Sequence, residues 1–207
     1  MASNESSHSC VSPGSVSGTW WLIPSNSITP NGIGIRAFRL TDVRACYTFV
    51  MHTGPGTVVV YTDGACRGNP GPGGWAWAVP GGRYASGAEA HTTNQRMEIT
   101  AVLEALRALL PDGPSGIDVV SDSTYVVKCF TDRWWEGWQR RGWKNAQRKP
   151  VANRDLWEPL IALALGPDVP VTFRWVKGHS GDRWNDRVDE LATLAADIGA
   201  GSSGTSS

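Results

Sequence analysis

Four carboxylates, Asp63, Glu98, Asp122 and Asp189, fall where a single topology would carry them to one edge of a sheet. Asp63 ends the β-branched run Thr57-Val58-Val59-Val60, which reads as a buried strand. After it comes Gly64–Gly74, with five glycines and two prolines, a turn in which bare backbone lies open to a ligand. Asp122 follows a second short strand, Ile117-Asp118-Val119-Val120-Ser121. Glu98 and Asp189 border the apolar stripes of two helices, beside Ile99 and Val188. Strand ends and the helix edges next to them are where open α/β sheets present ligands. Acids converging there cannot all stay ionised without cations, because like charges at close range are costly. Hard divalent ions with oxygen ligands resolve this, and Mg²⁺ suits best because it binds a few carboxylates, keeps water and accepts phosphate oxygens. Two such ions can hold a phosphodiester, one activating water and the other stabilising the leaving oxygen. Taken singly, each acid is more simply a helix cap or surface charge, and Asp-Gly is a common turn. The combination points to a metal centre.

The elements that must position these acids begin at Thr57. Strand 57–63, the glycine loop, strand 75–79, a turn at Pro80-Gly81-Gly82 and strand 83–90 form an antiparallel meander. Thr92 and Gln95 stand at capping-box spacing before a helix that runs to about Leu110, with Ile99, Val102, Leu103, Leu106 and Leu110 as its stripe. Strand 117–121 follows a helix and is expected to run parallel to the first. Then come a helix over 123–130, an irregular or helical protrusion over 131–152, a helix over 154–165, strand 171–176 and a last helix over 182–198. The order gives a mixed five-stranded sheet, three antiparallel strands and then two parallel, with helices on both faces.

Composition excludes more than it selects. Lys and Arg number 19 against 19 Asp and Glu, so any nucleic-acid signal must be local. It is found in Arg133–Lys149, which holds six basic residues against Glu136 alone, interleaved with Trp134, Trp135, Trp138 and Trp143. Basic residues among aromatic rings suit a strand backbone, although the tryptophans would equally anchor the protrusion to its helices. The four cysteines, Cys10, Cys46, Cys66 and Cys129, form no Cys-x-x-Cys pair and suggest free thiols in a reducing compartment. No signal or membrane segment is evident, so a cytoplasmic protein and no membrane partner are expected. Residues 1–56 carry no motif and read as an extension, largely disordered. Either they are an accessory binding segment or they precede the true start, with Met51 just ahead of the first strand favouring the latter. Residues 199–207, rich in Ser and Gly, read as a disordered tail after a catalytic domain over 57–198.

Five motifs, in order, resemble the type 1 ribonuclease H family over about 57–197. They are Thr62-Asp63-Gly64 through Cys66 to Gly68-Asn69-Pro70-Gly71, Thr93-Asn94-Gln95-Arg96-Met97-Glu98, Ser121-Asp122-Ser123, Trp175-Val176-Lys177-Gly178-His179-Ser180-Gly181, and Asn185 with Asp189-Glu190-Leu191-Ala192. The resemblance implies a ribonuclease H-like fold and endonucleolytic hydrolysis of RNA paired with DNA, leaving 5′-phosphate and 3′-hydroxyl ends. It implies two Mg²⁺ ions, with Mn²⁺ as a substitute: Asp63 bridging both, Glu98 and Asp122 on the leaving-group side, Asp189 on the water side. His179 becomes the histidine of proton transfer or product release. Asp182, Asp186 and Asp189 share one helix face; the Asp-Glu-Leu-Ala context selects Asp189, with Asp186 in reserve.

The same resemblance places Cys66 (through its backbone), Asn69, Asn94 and Gln95 along the minor groove, where RNA 2′-hydroxyls are reached. Trp134 and Trp138 would face DNA sugars, Thr93 and Asn153 would hold a DNA phosphate, and Arg140, Arg141 and Lys144 would belong to a basic protrusion gripping the DNA strand. An RNA–DNA hybrid is the expected partner and a monomer the expected state. Two alternatives remain: an integrase or DNA nuclease on the same scaffold, which would not need the protrusion or the Asn94-Gln95 pair, and a non-catalytic hybrid-binding protein, which would lack a carboxylate.

Overall fold

The computed structural model describes residues 56–206. The expectations for residues 1–55, including the alternative start, lie outside the described residues.

Three strands form the meander: β1 (Val58–Cys66), β2 (Gly71–Ala78) and β3 (Arg83–Thr92). Helix α1 (Asn94–Leu109) crosses to β4 (Ile117–Ser121), which is followed by α2 (Thr124–Thr131), α3 (Trp134–Arg140) and α4 (Arg154–Ala164). The chain ends with β5 (Val171–Trp175), α5 (Arg183–Ile198) and β6 (Ser203–Thr205). The sheet order is β5-β4-β1-β2-β3-β6, with β1–β4 and β4–β5 parallel and the other pairs antiparallel. Among the described residues no helix is long and apolar enough to cross a membrane.

The mixed architecture agrees with the sequence, but among the described residues the sheet has six strands and not five. Residues 203–205, expected in a disordered tail, pair with Arg83–Ala85 along the open edge of β3. Ser86 Oγ accepts from Ser202 N at 3.0 Å, and a Cβ on Gly201 would overlap Ser86 O. Backbone pairing with a free edge thus orders a segment that has no apolar pattern of its own.

Alternation along β1 divides the core. Val58 and Val60 pack with α1, α2 and α4, alongside Ile99, Val102, Leu103, Leu106, Trp157 and Leu160. Val59 and Tyr61 point to the opposite face, where Val188, Leu191 and Ala192 of α5 cover them. The fully buried Trp157 meets Trp138 and Tyr125 edge-on at ring separations of 5.3 and 5.4 Å. Burying rings of this size contributes much of the core on that face. The cap of α1 is one residue later than expected: Thr93 accepts from Arg96 N at 3.4 Å.

Candidate active site

β1 and β4 run parallel with Thr62 opposite Ser121 as the last registered pair. Asp63 and Asp122 come next and both point to the face that α5 covers, but Asp63 does not end its strand as expected: β1 runs on to Cys66, and Asp63 stays paired with Ala76 of β2. Glu98 lies in the second turn of α1, whose first turns rest on Gly64. A Cβ at Gly64 would overlap Glu98 N, so the glycine after Asp63 is what lets α1 come this close. Asp189 lies one residue beyond Val188, a core residue of α5.

The charges of the other three acids bear on Asp63. Burial pushes the Asp63 carboxyl up to about 8; the charges of Asp122, Asp189 and Glu98 push the same way, and a hydrogen bond from Gly64 N opposes them. Glu98 is also raised, chiefly by burial and further by Asp122, with Ser123 and Asn94 opposing. Among the described residues no three ligating side chains are drawn in to a single point. The donor set is nonetheless all oxygen, anionic and partly desolvated, which fits a hard divalent cation.

Hydrogen bonds fix Glu98 tightly. Its Oε2 accepts from Ser123 Oγ at 2.6 Å and its Oε1 from Asn94 Nδ2 at 2.8 Å. Asn94 N in turn donates to Asn69 Oδ1 at 3.4 Å. A chain of contacts therefore runs from the glycine loop to Glu98 and on to the cap of α2. Gln95 is exposed beside it, and Cys66 Sγ donates to Gly68 O at 2.7 Å, holding the loop shut. His179 has φ 51° and is 80% exposed, with Nδ1 4.0 Å from Asp189 Oδ2. Asp182 is the N-cap of α5, accepting from Trp184 N and Asn185 N. Asp186 lines a separate cleft of about 520 Å³ with Tyr84 and Arg187, and Asp189 is the one whose charge reaches Asp63.

Thr93 and Asn153 precede α1 and α4, and Arg96 joins those two helix starts. Its guanidinium donates to Asn153 Oδ1 at 3.3 Å and grips Asp155 with a fork of 3.1 and 2.9 Å. In the protrusion, Trp134 is half-buried and retains surface to offer. The expectation that Trp138 faces a sugar needs correction: it is 6% exposed and packs on Trp157 and Trp143, because the protrusion needs an anchor in the core. Arg140 and Lys144 are exposed, whereas Arg141 Nε turns back to Lys144 O at 3.1 Å.

Arg96, Ser123 and Asn185 lie inside motifs that the sequence displays, but no role was assigned to them there. Asn185, 1% exposed, donates to Asp122 Oδ2 at 3.5 Å. Its spacing of four residues before Asp189, on one helix face, was the available signal.

The sequence profile of the RNase H family matches residues 55–197. The chain belongs to the RNase H family. It is 53% identical over 141 residues to the ribonuclease H of Syntrophomonas wolfei, covering 67% of this chain and 94% of that one. To the ribonuclease H of Thermus thermophilus it is 51% identical over 142 residues, covering 67% and 83%. Among solved structures it resembles LC9-RNase H1, a type 1 RNase H with the type 2 active-site motif, at 34% identity and a TM-score of 0.64, covering 73% and 78%. An enzyme of the RNase H family is thus what Asp63 and its neighbours belong to.

Proposed function

We propose that this RNase H-family hydrolase cuts the RNA strand of RNA–DNA hybrids internally, leaving 5′-phosphate and 3′-hydroxyl ends. The observation that carries the reading is Asp63, nearly buried on central strand β1, with the charges of Asp122, Asp189 and Glu98 all acting on it. Asp63, Glu98, Asp122 and Asp189 would hold two Mg²⁺ ions, with Mn²⁺ as a substitute. When bound, such ions supply an activated water and neutralise charge on the leaving oxygen.

The chain's own residues do the rest. Asp63, at the centre, would be the shared ligand, with Glu98 and Asp122 serving the leaving-group side and Asp189 the water side. His179, exposed on its loop beside Asp189, is free to pick up or pass a proton, or to help product leave. Asn69, Asn94, Gln95 and the backbone at Cys66 lie along the route to Glu98 and read 2′-hydroxyls. Thr93 and Asn153, at two adjoining helix starts, hold a DNA phosphate. Trp134 with Arg140, Arg141 and Lys144 grips the DNA strand. All of these come from one chain over 57–198, which supports a monomer as the working form; a cytoplasmic location is proposed with it.

Asp122→Asn and Asp189→Asn test the assignment. Each should abolish turnover of hybrid while leaving hybrid binding largely intact, and end-labelling of parental products should show 5′-phosphates. Near-normal turnover would remove that residue from the metal site.

A further inference from the structure

We infer that Trp175 is a positioning residue for Asp122 and Glu98, acting through the peptide that follows Asp122. The inference rests on the reading of those two acids as metal ligands. Trp175 ends β5 opposite Ser121, the last residue of β4. One residue on, where the ladder stops, its indole Nε1–H donates to the Asp122 carbonyl at 2.9 Å. Val176 N donates to Ser121 O at 3.1 Å, so consecutive peptides of the β4 end are clasped from β5.

The ring is 49% exposed on an edge strand, so burial alone does not hold it in place. The carbonyl it grips belongs to the peptide joining Asp122 to Ser123. Slippage of that peptide would shift the Asp122 Cα and carry its carboxylate along. It would also move Ser123, whose Oγ donates to Glu98 at 2.6 Å and accepts from Val126 N at 3.3 Å. One indole N–H therefore sets the direction of two acids. The next residues leave little slack, because a Cβ at Gly178 would overlap Asp122 Oδ2.

The test uses the full chain carrying Trp175→Phe, and a second form with benzothienylalanine at position 175, which replaces N–H by sulfur in the same bicycle. Asp122→Asn is measured beside them. Loss of one hydrogen bond of this kind should lower kcat on hybrid about fivefold in both forms with KM unchanged. The Mg²⁺ concentration giving half of the metal-induced rise in Tm should increase by a similar factor. In the metal-free parent, the Trp175 indole proton should exchange slowly by NMR despite its exposure. If Asp122→Asn is inactive but both Trp175 forms keep parental kcat and Mg²⁺ dependence, the inference is overturned and the site reading stands. Near-normal turnover by Asp122→Asn overturns the site reading and this inference with it.

Discussion

Ser123 Oγ donates to Glu98 Oε2 at 2.6 Å while accepting from Val126 N at 3.3 Å, so one hydroxyl both caps α2 and aims an acid of α1. The two helices flank the end of β4, and this hydroxyl is what holds Glu98 toward Asp122. Ser123→Ala should cost about 1 kcal/mol through the lost cap. It should also lower kcat about tenfold, since Glu98 then keeps only the hydrogen bond from Asn94 to aim it. Thermal unfolding and steady-state kinetics on hybrid check the two parts separately. An unchanged kcat would mean that Glu98 needs no aiming.

The raised Asp63 carboxyl fixes the sign of a pH effect. Its folded value, about 8, lies above the ordinary carboxyl value of 3.8, so between these the metal-free fold holds a proton that the unfolded chain has released. The contribution of Asp63 to metal-free stability should therefore be fullest below about pH 4 and be lost as pH rises through 8. One unit is worth about 1.4 kcal/mol, so even half of this shift amounts to about 3 kcal/mol. Unfolding in EDTA across this range should show the fall, and Mg²⁺ should flatten it. A metal-free stability that rises with pH would contradict the crowding of acids around Asp63.

Gly64 separates Asp63 from the backbone of α1. Gly64→Ala sets a Cβ against Glu98 N and the Met97 carbonyl carbon, which belong to a packed helix and not to a mobile side chain. The cost should approach about 3 kcal/mol, the upper part of the overpacking range. Denaturant melts read it directly, and parental stability would show that α1 can retreat.

Arg140 and Lys144 project from the protrusion, whereas Arg141 is partly engaged with the Lys144 carbonyl. Removing the first two charges should raise KM and flatten the salt dependence of binding by about one to two units of slope, with Arg141→Ala contributing less. Hybrid affinity measured over a salt series decides it. An unchanged slope would show that the protrusion does not touch phosphate.

Much of this arrangement is visible in the residues. Asp63 and Asp122 are legible because each closes a β-branched run, and Glu98 and Asp189 because each borders an apolar stripe of period 3.6. What escaped depends on tertiary partners. β6 forms because β3 leaves an edge open and Gly201 lets the tail lie against Ser86; Ser-Gly composition alone reads as disorder. The resemblance made Trp138 a candidate surface ring, yet Trp157 from a distant helix claims it for the core. Arg96 and Ser123 acquire their roles only when α1, α2 and α4 come together.

The central claim is tested most directly by offering labelled RNA–DNA hybrid, duplex RNA, single-stranded RNA and duplex DNA, each with Mg²⁺ and with EDTA. The account predicts internal cleavage of the RNA strand of the hybrid, only when Mg²⁺ is present. Cleavage of duplex DNA, or of hybrid in EDTA, would contradict it.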